Sequence, residues 1–224
     1  MIVAGADGCR SGWVVALGTA LKTKVRFQRA VVVETLDEIE SFPQRPALLA
    51  VDIPIGLAER AEPGGRACDR MTRELLGVRK ASVFSPPIRP VLSCATYREA
   101  LEVSRASSEH ALGLSKQSWN ITPKIREADA YAHRATIDVI EAHPELAFAQ
   151  MIGEPMTHPK KSASGSHDRR EALESVMGPV PERRIGDHHM DDLLDACACL
   201  WTAWRASAGR VRRVGPDEGP WIHA

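Results

Sequence analysis

The chain has 224 residues, enough to bury one substantial core, and its 29 basic residues balance its 29 acidic ones. A formal net charge of zero excludes bulk electrostatic attraction to nucleic acid or to an anionic membrane, so any such binding must be local. Five scattered cysteines without a CxxC pair (Cys9, Cys68, Cys94, Cys197, Cys199) argue against a disulfide framework and a structural zinc site. No apolar run approaches the ~20 residues that span a bilayer. The N-terminus also lacks the basic start and long apolar stretch of an export signal, so the expected location is the cytoplasm.

In chain order, Ile2 to Ala6 and Trp13 to Leu17 are apolar runs separated by a Gly/Ser turn, which predicts a β-hairpin. Residues 24–33 alternate polar and apolar before becoming continuously apolar, the pattern of a third neighbouring strand. Thr35 and Glu38 form a capping box for a short helix that ends by Pro43. The run ALLAV at 47–51 carries no polar side chain, as expected of a central parallel strand covered on both faces, and Pro54 stops it just after Asp52.

From about 57 to 135 the chain reads as charged helical segments between Ser/Pro turns, a helical insertion within a single domain spanning 1–224. The sheet resumes at 136–141, a helix starts at Pro144, and residues 153–168 read as a polar loop. A last helix is predicted from near Asp187 to about Ala208. Its apolar stripe is Met190, Leu193, Leu194, Cys197, Trp201 and Trp204; the opposite side carries His188, Asp192 and Asp195, then only the small Cys199, Ala203 and Ala206. Such a helix can be buried on both sides.

Asp7, Asp52 and Glu141 each stand at the carboxyl end of a predicted strand, the edge where ligands bind in parallel α/β sheets. Asp192 and Asp195, spaced i, i+3, share one helical face and would add two more acids if that helix abuts the same rim. Taken singly, an Asp after a strand serves a turn, acids in a first helical turn complement the dipole, and Glu141 suits an ion pair. Taken together, such carboxylates repel one another unless a cation balances them, and their oxygens suit Mg²⁺ or Mn²⁺.

The string GADGCRSGWVV at 5–15 resembles the opening of the domain-of-unknown-function 429 family of ribonuclease-H-like nucleases. Further segments are similar in the same order: VDIPIGL (51–57), CDRMTRELLGVRKASVFSPP (68–87), QSWNITPKIREAD (117–129), EAHPELAF (141–148), KKSASGSHDRREAL (160–173) and DDLLDACACLWTAWR (191–205). The resemblance implies an α/β ribonuclease-H-like fold: a mixed sheet with a three-strand antiparallel opening, then parallel strands, flanked by helices. DLLDACA at 192–198 is similar to the acidic segment of Holliday-junction resolvases, which favours Asp192 and Asp195 over Asp191.

The activity so implied is metal-dependent cleavage of DNA or RNA, with Asp7, Asp52, Glu141, Asp192 and Asp195 as catalytic and metal-binding acids and Mg²⁺ or Mn²⁺ as cofactor. Arg10, Lys124, Glu127, His143, Lys160 and Lys161 fall at family motif positions and are expected to line the site and meet substrate. Non-catalytic binding of a ligand or nucleic acid on the same fold is the main alternative. An ATP-dependent phosphotransferase is a second, disfavoured because such enzymes close two related domains over nucleotide. Nucleic acid is the expected partner, no membrane is, and a homodimer is left open.

Overall fold

A computed structural model describes residues 1–181 and 188–224. Strand β1 (Ile2–Cys9) turns through Arg10 and Ser11 into β2 (Gly12–Ala20), which pairs antiparallel with β1 and with β3 (Val25–Val33). Strand β4 (Leu48–Val51) lies parallel to β1 on its other side, and β5 (Asp138–Glu141) lies parallel to β4. The strand order is therefore β3-β2-β1-β4-β5. β1 does not stop at Ala6, as the Asp7-Gly8 step suggests. Both residues keep their backbone N–H groups, and the ladder continues through Asp7 opposite Val14 and Gly8 opposite Trp13.

Helices α1 (Ala67–Leu76), α2 (Tyr97–Ala106) and α3 (Lys116–Arg134) occupy the segment between β4 and β5, with 3-10 turns at Gly77–Ser82 and Arg89–Ser93. The Thr35/Glu38 capping box is present, but the element it starts, Leu36–Ser41, is a 3-10 helix. Helix α4 (Pro144–Ile152) follows β5. The stretch read as a loop to residue 168 instead enters α5 (Ala163–Met177). Ser162 starts that helix: its side chain accepts from the Gly165 N–H, which offsets the weak helical propensity of Gly165 and Ser166. Helix α6 (Met190–Ser207) holds the acidic segment; the expected start near Asp187 lies outside the described residues. A two-stranded ladder, β6 (Arg213–Val214) with β7 (Ile222–His223), closes the chain and is not marked by any alternation in the sequence.

The central strands are apolar on both faces because both faces are covered. Val3, Val14, Ala16, Leu48 and Ala50 pack beneath α4, α5 and α6 with Phe148, Leu173 and Trp201. Ala4, Val15, Leu49 and Val51 face the other way, against Ile125 and Tyr131 of α3 and Leu36 and Ile39 of the 3-10 helix. The small-residue side of α6 lies directly on β1. A methyl group built on Gly5 would fall 2.0 Å from the Leu200 nitrogen and 2.3 Å from the Ala196 oxygen, so only glycine lets the helix backbone come this close. Among the described residues no helix is long and apolar enough to cross a membrane.

Candidate active site

Register places the first two acids. Ala6 pairs with Val51, and the Asp52 N–H donates to the Ala6 carbonyl at 2.9 Å, so Asp7 and Asp52 emerge side by side from adjacent parallel strands. Strand alternation then decides which way they point. Val3 and Leu48 face α6, and Asp7 and Asp52 keep the same parity, four residues on, so both lie toward α6. Asp195 meets them there, immediately before the Ala196–Leu200 segment that rides on Gly5. Asp7 and Asp195 are buried, 8% and 2% exposed, and Asp52 is partly so.

Glu141 has the opposite parity. It pairs with Val51, whose side chain belongs to the α3 face, and its neighbour Val139 packs there too. Its carboxylate is held by Arg66, at the start of α1, in a fork of 2.6 and 2.7 Å, and accepts from the Ile55 N–H at 2.7 Å. Arg66 also binds Asp69 at 2.7 Å, and all three charged groups are buried. Glu141 thus borders the same cleft as Asp7, Asp52 and Asp195 while being committed to a structural ion network. Neither Arg66 nor Asp69 stands out in the sequence; their i, i+3 spacing at a helix start was the available signal.

The cleft has a volume of about 510 Å³. Lys124, His143 and Lys160 line it, as does a second wall that includes Arg79, Phe84, Gln117 and Ile121. The Lys124 ammonium donates to the Gly12 carbonyl at 2.6 Å and lies 4.5 Å from the Trp13 ring centre. Among the described residues no hydrogen-bond partner reaches the buried Nδ1 of His143, and burial lowers its pKa, which favours the neutral ring. Glu145, which also reaches the cleft, is tied to buried Arg169 at 2.5 Å.

The remaining expected residues lie elsewhere. Asp192 is the third residue of α6 and its Oδ2 accepts from the His189 N–H at 2.9 Å, a capping role. Glu127 accepts from the Trp13 indole at 2.9 Å and from the Leu36 N–H at 2.8 Å, beneath the 3-10 helix. Arg10 is exposed in the β1–β2 turn, and Lys161 is exposed beside Lys160. None of the four lines the cleft, although Asp192 is near enough for its charge to raise Asp7 further.

Electrostatically the cleft holds too much negative charge for its depth. Burial pushes Asp7 well above the ordinary carboxylate range, and Asp52 and Asp195 push it further. Burial likewise raises Asp52 to about 7 and Asp195 to about 6, against the opposing pull of Lys160. The Lys160 ammonium donates to Asp195 Oδ2 at 2.7 Å and lies 3.8 Å from Asp191 Oδ2. Lys160 thus interacts with Asp195, Asp7 and Asp52 together. The Gly8 N–H donates to Asp7 at 2.8 Å, and among the described residues none donates a hydrogen bond to Asp52.

An all-oxygen donor set with unspent acceptors fits a hard divalent cation. As the side chains stand, no group of three or more His, Cys, Asp and Glu among the described residues closes around an ion position. Asp195 is turned to Lys160 instead.

Three antiparallel strands followed by two parallel ones in the order 3-2-1-4-5, with acids on β1, after β4 and on α6, define a ribonuclease-H-like α/β domain. The chain belongs to the family described as protein of unknown function (DUF429), whose model matches residues 5–219. Among solved structures it is similar to Thermus thermophilus RuvC, with 14% identity, a TM-score of 0.41, and 94% of this chain and 98% of that one covered. It is also similar to T. thermophilus RuvC in complex with a Holliday junction substrate, with 15% identity, a TM-score of 0.42 and the same coverage. No curated protein matches the chain.

Proposed function

We propose that the protein is a metal-dependent phosphodiesterase acting on nucleic acid, with Asp7, Asp52 and Asp195 holding Mg²⁺ or Mn²⁺. One observation carries this reading: three carboxylates from β1, the end of β4 and α6 meet in one buried cleft, where Lys160 is the cation that opposes their charge. Carboxylates so placed must either stay protonated or share a cation. A bound divalent ion supplies charge stabilisation for a phosphoryl oxygen and a more acidic water.

The chain's own groups do the rest. Arg66 holds Glu141 against the strand end and so keeps the rim rigid. Lys124, fixed over Trp13, gives the cleft a positive edge that suits a phosphate. Neutral His143 borders the same space and can accept a proton.

Cleavage assays on single-stranded, duplex, hybrid and junction substrates with Mn²⁺ or Mg²⁺ test the proposal. Asp7→Asn and Asp52→Asn are each expected to lower the rate about 100-fold or more while the chain stays folded. Full activity in both variants, or no metal-dependent cleavage by the wild type on any substrate, rejects it.

A further inference from the structure

Lys160 occupies an unusual place for a lysine. Its side chain is 37% exposed, yet its ammonium reaches inward to Asp195, whose carboxylate is 3% exposed. The backbone beneath it is pinned. The Ser162 N–H and hydroxyl both donate to the Pro159 carbonyl, at 3.0 and 2.8 Å, and Arg169 donates to the His158 carbonyl at 3.1 Å. The His158 ring adds a 2.7 Å contact to Asp168 of α5, and Pro159 packs so closely on Gly165 that a methyl group there would overlap its carbonyl.

The movable part is therefore the lysine side chain and not the turn that carries it. A second seat lies next to it. Asp191, at 3.8 Å, sits further out, with 18% of its side chain exposed. An ammonium within hydrogen-bond distance of Asp195 occupies that oxygen and repels an incoming divalent ion.

We infer that Lys160 is a resident cation that neutralises the acidic cleft before the metal arrives, and that ion binding transfers its ammonium from Asp195 to Asp191 at the rim. The inference rests on the proposed metal-binding reading of Asp7, Asp52 and Asp195. It adds an exchange that governs affinity: cation for cation, with the displaced one kept at hand to meet a phosphate.

Calorimetric titration with Mn²⁺ alone, without nucleic acid, tests it. Lys160→Met is expected to bind Mn²⁺ about tenfold more tightly than the wild type, whereas Lys160→Arg, which keeps the charge, stays within about threefold of it. Asp191→Asn, which removes the outer seat, is expected to weaken Mn²⁺ binding in the wild type and to matter much less beside Lys160→Met.

A measurement on the unaltered protein guards against misfolded variants. Acylation of the Lys160 amine, read by mass spectrometry, is expected to speed up about threefold or more when Mn²⁺ saturates the site, as the ammonium leaves its buried partner. Mn²⁺ binding to wild type and Lys160→Met with equal affinity, together with unchanged acylation, overturns the exchange and leaves the proposed function standing. Failure of both proteins to take up Mn²⁺ overturns the two together.

Discussion

At the scale of single residues, the fate of Glu141 turns on the period of two along a strand. Asp7, Asp52 and Glu141 all stand at strand ends, so spacing in the sequence treats them alike. The pairing of Val51 with Glu141 and of Val51 with Ala6 puts Glu141 one step out of phase with the two aspartates. Arg66 then becomes the group that makes its burial tolerable. Arg66→Met leaves Glu141 and Asp69 buried without their cation and is expected to cost about 3–5 kcal/mol in urea denaturation. The cost should shrink as pH is lowered, because burial already raises Glu141 and a protonated carboxyl needs no guanidinium.

At the scale of elements, the site depends on how closely α6 lies on β1. The small-residue side of that helix was legible as Cys199, Ala203 and Ala206, and Asp195 was legible one turn earlier. What α6 presses on was not: Gly5 reads in sequence as a plain strand residue. The tight contact brings Asp195 to Asp7, and Gly5→Ala would drive a methyl group into the helix backbone. We expect it to cost about 2 kcal/mol or more and to weaken Mn²⁺ binding as well, read by denaturation and calorimetry on the same variant. Asp192, on the same helix, is spent on the amide at its start. An i, i+3 pair of acids can thus divide between a cap and a cleft, because in the first turn the exposed backbone amides compete for the earlier one.

At the scale of the whole molecule, the buried acids couple stability to pH and to metal. Asp52 is raised to about 7 and Asp195 to about 6 in the folded chain, against an ordinary value of 3.8. Between those values the folded state keeps protons that the unfolded state releases, so the metal-free protein loses stability as pH rises from about 4 through about 7, and raised Asp7 acts in the same direction. Asp52→Asn should flatten this slope and leave the metal-free protein more stable than wild type at pH 8, by on the order of 2 kcal/mol. Saturating Mn²⁺ should raise the stability of the wild type most at high pH, because it binds the ionised acids. Urea midpoints measured across pH, with and without Mn²⁺, check all three statements; a wild-type curve that rises toward pH 7 without metal contradicts them.

The sequence by itself determined where the central strands fall along the chain, the helical segment between β4 and β5, and the candidacy of Asp7, Asp52, Glu141, Asp192 and Asp195. Local pattern carries that information: continuous apolar runs mark strands covered on both faces, and helical spacing marks a buried helix. Only the tertiary structure decided which acids share a cleft and what opposes them. Arg66 is 75 residues from Glu141 and Lys160 is 35 from Asp195, distances over which no periodicity links one side chain to another. Register, strand parity and the close approach at Gly5 bring them together, and each is a property of packing between elements.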